Sequence, residues 1–274
     1  SIPFEAARLG CDVYASDLNP IAGLLTWADL NICGASDKEL ENIKNFQQRA
    51  YDAVDKEICD LGIEQNECGD RALSYLYCIE VRCPECGTIV PMLPSLVVGI
   101  RAGKVIAELH EAGQRYEISI KSNVSDAELR EAQENVRDNA LVCPHCKKST
   151  PLSALRHDKT DDAGNTVYGL RQWEREEFEP REDDIYHERL YAIRYEHFDV
   201  LPNGKIKSTR YYRAPSERDI KNEEKVHSIV ADNFTFWQNQ GLIPSSEIET
   251  GDKTEEVKRN RGWKYWHQLF NARQ

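Results

Sequence analysis

Cys83-Pro-Glu-Cys86 and Cys143-Pro-His-Cys146 share the form Cys-Pro-x-Cys and together supply four thiolates. A tight turn of this kind aims both of its sulfurs at one point, and Gly87 directly after the first pair suits that turn. Two such turns facing each other complete a tetrahedron, the geometry of a closed structural zinc site with no position left for substrate. The predicted metal ligands are therefore Cys83, Cys86, Cys143 and Cys146. The segment between the pairs is longer than the roughly 15 to 20 residues of a compact ribbon, but a loop grows at small entropic cost. Here it carries the pattern of its own hairpin and helix.

Two other chemistries suit these cysteines. Cys-Pro-His-Cys by itself fits a disulfide oxidoreductase, whose nucleophile opens a helix after a strand; the matching second pair argues against it. Four thiolates also hold iron. The chain has nine cysteines, an odd number, and begins with no secretory leader, which favours metal ligation in a reducing compartment over disulfides. Cys11, Cys33, Cys59, Cys68 and Cys78 then read as small packing residues, with Cys78 the one spare ligand within reach. His145, between two ligands, reads as an exposed turn residue.

The 274 residues, 40% apolar and 30% charged, suffice for one large or two ordinary domains with real cores. A net charge of -12 makes the whole chain a poor binder of polyanions, so any nucleic-acid contact needs a local basic face. No apolar run approaches the roughly 18 to 20 residues of a membrane span, and the expected location is cytoplasmic. The opening Ser-Ile-Pro-Phe and the ending Asn-Ala-Arg-Gln read as the edges of a piece from a longer protein.

Along the chain, residues 3–9 predict a short helix stopped by Gly10, then a strand over Cys11–Ser16. Asp17-Leu18-Asn19-Pro20 turns into a helix carrying Ile21, Leu24, Leu25 and Trp27. This order is that of an α/β nucleotide-fold fragment. A long helix from Asp37 to about Leu61 follows, its apolar face marked by Leu40, Ile43, Phe46, Ala50, Val54 and Ile58. Strands are predicted over 75–82 and 88–92 around the first cysteine pair, and a hairpin over 104–109 and 116–121. Ser125-Asp126-Ala127-Glu128 is a capping box, and Pro151 starts another helix. The highly charged stretch 157–186 predicts a mobile loop. A second hairpin turns at Pro202-Asn203-Gly204, and a helix runs from Ser216 towards Gly241.

An acidic residue at the carboxyl end of a strand in a nucleotide-binding α/β fold accepts hydrogen bonds from ribose hydroxyls. Asp17 has that place in the predicted order, although an Asp there is also a common turn or cap residue. The whole stretch from Ser1 to Ala22, with Ser-Ile-Pro-x-Glu-Ala and Asp17-Leu18-Asn19-Pro20, resembles the segment after the glycine-rich cofactor loop of S-adenosylmethionine-dependent DNA methyltransferases. It is most similar to the zinc-ribbon-containing adenine-specific DNA methylases that carry the DUF1156 domain. The two cysteine pairs and the stretch Gly262–Gln274 resemble that family's zinc insertion and the segment beyond it.

The resemblance implies a partial Rossmann-like methyltransferase segment with a long helix (1–70), a zinc ribbon with inserted hairpin and helix (71–156), and a hairpin plus helical segment (157–274). Its fold class is α+β or α/β. It implies methyl transfer from S-adenosylmethionine to the exocyclic amine of adenine in DNA, with the base flipped from the duplex. Asp17 would bind the cofactor ribose, the backbone near Leu18 would meet the adenine ring, and structural zinc would hold the ribbon. The family's Asp/Asn-Pro-Pro-aromatic motif and glycine loop are not in these 274 residues. The chain alone is thus expected to be catalytically incomplete, with no catalytic residue of its own. A non-catalytic zinc-ribbon module that binds nucleic acid or protein is the alternative.

Two basic and aromatic stretches are the candidates for DNA contact: Lys205, Lys207, Arg210 and Arg213 with Tyr211 and Tyr212, and Lys258, Arg259, Arg261 and Lys264 with Trp263, Tyr265 and Trp266. Charged strand faces are ordinarily solvated, and Trp263, Trp266, Leu269 and Phe270 also read at helical spacing as core.

Overall fold

Polar caps and glycine stops set the helices at the start of the chain. The computed structural model describes residues 2–17, 19–101, 103–132, 134–251 and 253–274, with Pro20 described by its backbone alone. It divides into two compact units, Ser1–Leu61 and Gly62–Gln274.

In the first unit, α1 (Ile2–Arg8) stops before Gly10, whose φ of 84° is the left-handed conformation of a helix terminator. α2 (Pro20–Ile32) starts from Asn19, whose Oδ1 accepts the N–H of Ile21 at 2.9 Å. α3 (Asp37–Leu61) is opened by Ser36 and Glu39, with Glu39 Oε2 accepting the Ser36 N–H at 2.8 Å. The strand expected over Cys11–Ser16 is absent, and residues 11–17 have no regular secondary structure. A strand is stabilised by ladder bonds to a neighbour, and none of the described residues of this unit forms a second strand. The described residues of this unit form three helices and an irregular connection.

The second unit is built from antiparallel sheets. β1 (Arg71–Arg82) and β2 (Ile89–Met92) form a hairpin; β3 (Val97–Gly99), β4 (Val105–Ala112) and β5 (Arg115–Ser122) make a three-stranded sheet followed by α4 (Asp126–Glu131). β6 (Val136–Arg137), β7 (Ala140–Val142) and β8 (Ser149–Pro151) make another, followed by the single turn α5 (Leu152–Leu155). A two-stranded ribbon, β9 (Lys159–Thr160) and β10 (Thr166–Val167), precedes the long hairpin β11 (His187–Val200) and β12 (Ile206–Arg213). α6 (Glu217–Asn239) and α7 (Thr254–Arg261) follow, then a 3-10 turn over Trp266–Leu269. β11 returns to pair with β1, giving the sheet order β12-β11-β1-β2. Every ladder between these strands is antiparallel.

α6 is fastened to the β11–β12 hairpin by charge. Tyr195 donates to Asp219 Oδ1 at 2.5 Å, and Arg213 reaches Asp219 Oδ2 at 2.9 Å. Ala72, Leu190, Ile193 and Tyr195 form the apolar cluster of this sheet, while Cys78, Leu93, Ala107 and Ile118 form a second.

The charged stretch 157–186, expected to be mobile, is tied down. Arg171 pairs with Glu177 and with Asp184, each at 2.7 Å, and Phe178 packs against Phe234 of α6. The final aromatic stretch also departs from expectation. Helix α7 ends at Gly262, Phe270 is exposed, and His267 and Gln268 are buried instead. Gln268 Nε2 donates to the carbonyl of Glu174 at 2.7 Å, so a polar side chain fills the place that spacing assigned to apolar ones.

His197 on β11 has a carboxylate at each ring nitrogen. Asp70 Oδ1 lies 2.6 Å from Nδ1, and Asp199 Oδ1 lies 3.1 Å from Nε2. Only the doubly protonated ring donates to both, and Asp70 followed by Asp199 raises the His197 pKa above its usual value. Tyr211 donates to the second oxygen of Asp70 at 2.6 Å, joining β12 to the same network. A raised folded-state value means stability that is complete below the unfolded pKa of about 6.5 and is lost as pH rises through the folded value. The urea midpoint of the chain is expected to fall as pH is raised from about 6.5 to 8, and His197→Gln to abolish that part of the slope. An unchanged slope in the variant would remove His197 from this role.

Candidate metal centre

Each cysteine pair lies in the turn of a β-hairpin, the first between β1 and β2 and the second between β7 and β8. The two turns are built alike. In the first, the Cys83 N–H donates to Thr88 O at 2.8 Å and Gly87 N–H donates to Cys83 O at 2.9 Å. In the second, Cys143 N–H donates to Lys148 O and Lys147 N–H to Cys143 O, both at 2.9 Å. The residue after each second cysteine is left-handed, with φ of 76° at Gly87 and 60° at Lys147. The backbone N–H groups of Cys86 and Glu85 point at the Cys83 sulfur, and those of Cys146 and His145 at the Cys143 sulfur. Such donors stabilise thiolate and orient it.

The four sulfurs all lie within 4.8 Å of one another. Cys83 Sγ is 3.9 Å from Cys146 Sγ, and Cys86 Sγ is 3.8 Å from Cys143 Sγ. A tetrahedral ion with metal–sulfur bonds of about 2.3 Å has edges of about 3.8 Å. The cluster therefore has the dimensions to hold a metal ion, and the sulfurs stand too far apart for disulfides, at about 2 Å. The second pair leads into β8 and not into a helix, so it lacks the helix start that an oxidoreductase cysteine uses.

Burial divides the ligands. Cys83 and Cys143 are about 1% exposed, inside a core of Val81, Val90, Tyr116, Leu141 and Leu155. Burial pushes the Cys83 thiol up and the Cys143 thiol up to about 12. The side chain and then the backbone of Thr88 bring the more open Cys86 down to about 6. Metal ligation needs all four as thiolates, so a bound dication would supply the charge that the buried pair lacks.

Asn135 joins the two hairpins and was not visible as a site residue in the sequence. Its Oδ1 accepts the Leu93 N–H at 2.8 Å and its Nδ2 donates to Pro91 O at 2.6 Å, just past β2 and at its end. Its backbone carbonyl accepts the N–H of Val142 next to Cys143, at 2.8 Å. One buried amide thus sutures the neighbourhoods of both cysteine turns. Nothing local in an Asn-Val dipeptide announces this.

The other expected residues are placed elsewhere. Cys78, the spare ligand, is buried with Leu93, Ala107 and Ile118, outside the four-sulfur group. His145 is exposed, with Nδ1 3.3 Å from Glu111 Oε1. Asp17 is exposed in the first unit, where its Oδ1 accepts the Asn19 N–H at 2.8 Å as a turn residue. Leu18 lies outside the described residues.

The two basic stretches are largely spent on internal pairs. β12 alternation puts Arg210 on the opposite face from Lys207 and Arg213. Arg210 pairs with Glu196 at 2.9 Å, and Arg213 with Glu67 at 3.0 Å as well as Asp219. Lys258 pairs with Glu255 and Lys264 with Glu247, whereas Arg259 stands over Tyr168 and Arg261 over Trp263. No described helix is long and apolar enough to cross a membrane. No family model matches the chain, and no curated protein or solved structure is significantly similar to it.

Proposed function

We propose that the four cysteines hold one structural zinc ion, and that the module it clasps belongs to an S-adenosylmethionine-dependent DNA methyltransferase acting on adenine N6. The observation that supports the zinc is the cluster of four sulfurs, all within 4.8 Å of one another, in the turns of two like hairpins. A closed thiolate set supplies no chemistry to a substrate; it fixes the relative position of β1–β2 and β7–β8. The methyltransferase part rests on the resemblance of Ser1–Ala22 and Gly262–Gln274 to the adenine-specific methylases. In that reading α1, the irregular connection and α2 are the rim of a Rossmann-like cofactor fold. Asp17 would exchange its bond to the Asn19 N–H for the cofactor ribose, and the Leu18 backbone would lie beside the adenine. The groups that orient the target amine come from a motif outside these residues.

The test uses the complete gene product. One zinc per chain and a colourless protein are expected, since iron in four thiolates absorbs visible light. Transfer of labelled methyl from S-adenosylmethionine to adenine in DNA is expected, with Asp17→Asn weakening cofactor binding about ten- to a hundredfold by loss of a charged acceptor. Zinc without any methyl transfer or cofactor binding would leave only the second reading, a non-catalytic zinc-ribbon binding module.

A further inference from the structure

Strand β12 ends the sheet β12-β11-β1-β2 on one side, and among the described residues no strand pairs with its outer edge. The hairpin turn fixes which residues face that edge. Leu201 N–H donates to Lys205 O and Gly204 N–H to Leu201 O, both at 2.8 Å, so Leu201 and Lys205 are a hydrogen-bonded pair. Antiparallel ladders alternate, and the register then makes Asp199–Lys207 and His197–Thr209 the next bonded pairs. Ile206, Ser208 and Arg210 therefore turn their N–H and C=O groups outward, and among the described residues nothing bonds these groups. Every residue from Ile206 to Arg210 is exposed. β5, the other eight-residue strand at a sheet edge, differs: Tyr116 and Ile118 are buried there, and Arg189 Nη1 caps the Tyr116 carbonyl at 2.7 Å.

The two faces beside the free edge are unlike. Register places Phe198, Val200, Ile206 and Ser208 on one face, where Phe198, Val200 and Ile206 are 58%, 77% and 70% exposed. Lys207 lies on the other face, and neither it nor Lys205 in the turn has an ion pair among the described residues. Asp199, across the ladder from Lys207, holds the His197 ring instead. These lysines oppose a second copy of the same strand, since β12 paired with itself would bring Lys205, Lys207 and Arg210 of the two chains together. They favour a strand of opposite charge.

We propose that the β12 edge binds an extended acidic segment of a partner protein by strand addition, with apolar and acidic residues alternating along that segment. Its apolar residues bond to the backbone of Ile206, Ser208 and Arg210 and extend the face of Phe198, Val200 and Ile206. Its acidic residues fall beside Lys207. The parity follows from the pleat, because residues opposite each other in a ladder share a face. This surface owes nothing to the metal centre or to the methyltransferase reading.

The experiment measures fluorescence anisotropy of a labelled, end-blocked Val-Glu-Val-Glu-Val-Glu-Val peptide with the full chain at physiological salt. Ser208→Pro is expected to weaken binding at least about tenfold, because proline removes an outward N–H and fills the edge while leaving the bonds to β11 in place. Ser208→Ala, which also loses the Oγ bond to Glu196, should bind as the unaltered chain does. Lys207→Glu should weaken binding about fivefold. N-methylation of the peptide's valines should abolish binding, and N-methylation of its glutamates should not. A peptide with lysine in place of glutamate should bind more weakly, although the chain as a whole is acidic. Equal affinity of the Ser208→Pro and Ser208→Ala chains, or tighter binding of the lysine peptide, would overturn the proposal. Self-association in sedimentation that Ser208→Pro abolishes would overturn it in favour of a second copy. Binding of labelled oligodeoxythymidylate that Lys207→Glu abolishes, without binding of the acidic peptide, would overturn it in favour of a nucleic-acid surface. Should Ser208→Pro fail to fold by melting temperature, the two N-methylated peptides decide on the unaltered chain, and equal binding of both overturns the proposal.

Discussion

Cys143→Ser is expected to strip the metal from the chain and to unfold the β-rich second unit under conditions where Cys78→Ser leaves both intact. Cys143 is about 1% exposed, and its sulfur sits in the cluster that also contains Val81, Val90, Leu141 and Leu155. A metal bound there would be part of the core that joins two hairpins, and in such sites binding energy is folding energy. Removing one of four ligands should cost at least about 5 kcal/mol, the size of a domain's whole stability margin. Cys78 is buried as well, but among Leu93, Ala107 and Ile118. A serine hydroxyl there costs about 1–3 kcal/mol and no metal. Metal content by mass spectrometry and urea unfolding followed by Tyr and Trp fluorescence read both effects. A Cys143→Ser chain that kept one zinc and an unchanged midpoint would show that the four sulfurs are not the ligand set.

The contrast between these two buried cysteines shows what the sequence discloses. Ligand spacing is local, so Cys83, Cys86, Cys143 and Cys146 stand out by their spacing alone. Caps are local too, and the Ser125 and Ser216 capping boxes start their helices where the residues say. The long apolar stripe of α3 likewise gives its bounds. Pairing is not local. The strand expected over Cys11–Ser16 had the right residues but no neighbour, while β1 found its partner in β11 more than a hundred positions away. Charge composition told equally little about order: the stretch 157–186 looks like a solvated loop until Arg171 and Arg181 are seen to pair with Glu177 and Asp184. The cations of β12 looked like one stripe because a sequence does not show that Arg213 faces Glu67 and Asp219 while Arg210 faces Glu196.

Gly262→Ala should cost at least about 3 kcal/mol, several times the effect of Gly204→Ala, although both glycines have a φ of 75°. The shared dihedral makes the pair a controlled comparison. A left-handed alanine costs about 1–2 kcal/mol wherever it stands, and the stiffening of the unfolded chain is common to both. What differs is the space around the new Cβ. At Gly204, in the β11–β12 turn, nothing lies within 4 Å. At Gly262 the Cβ would lie 2.2 Å from the carbonyl oxygen of Arg171, a backbone atom that cannot swing aside. That contact is also where the loop is tied to the end of α7, since Trp173 N–H donates to Gly262 O at 2.8 Å. To admit the methyl group the two segments must part, which disturbs Trp173 and Trp263, whose ring centres lie 6.5 Å apart edge to face, and Arg261 over the Trp263 ring. Trp fluorescence should therefore shift in Gly262→Ala before the unfolding transition begins, and stay unchanged in Gly204→Ala. Equal losses of stability in the two variants would mean that the loop and the end of α7 do not meet at Gly262 in solution. The excess measured at Gly262 is then the cost of parting the loop from the end of α7, separated from the cost of the left-handed residue itself.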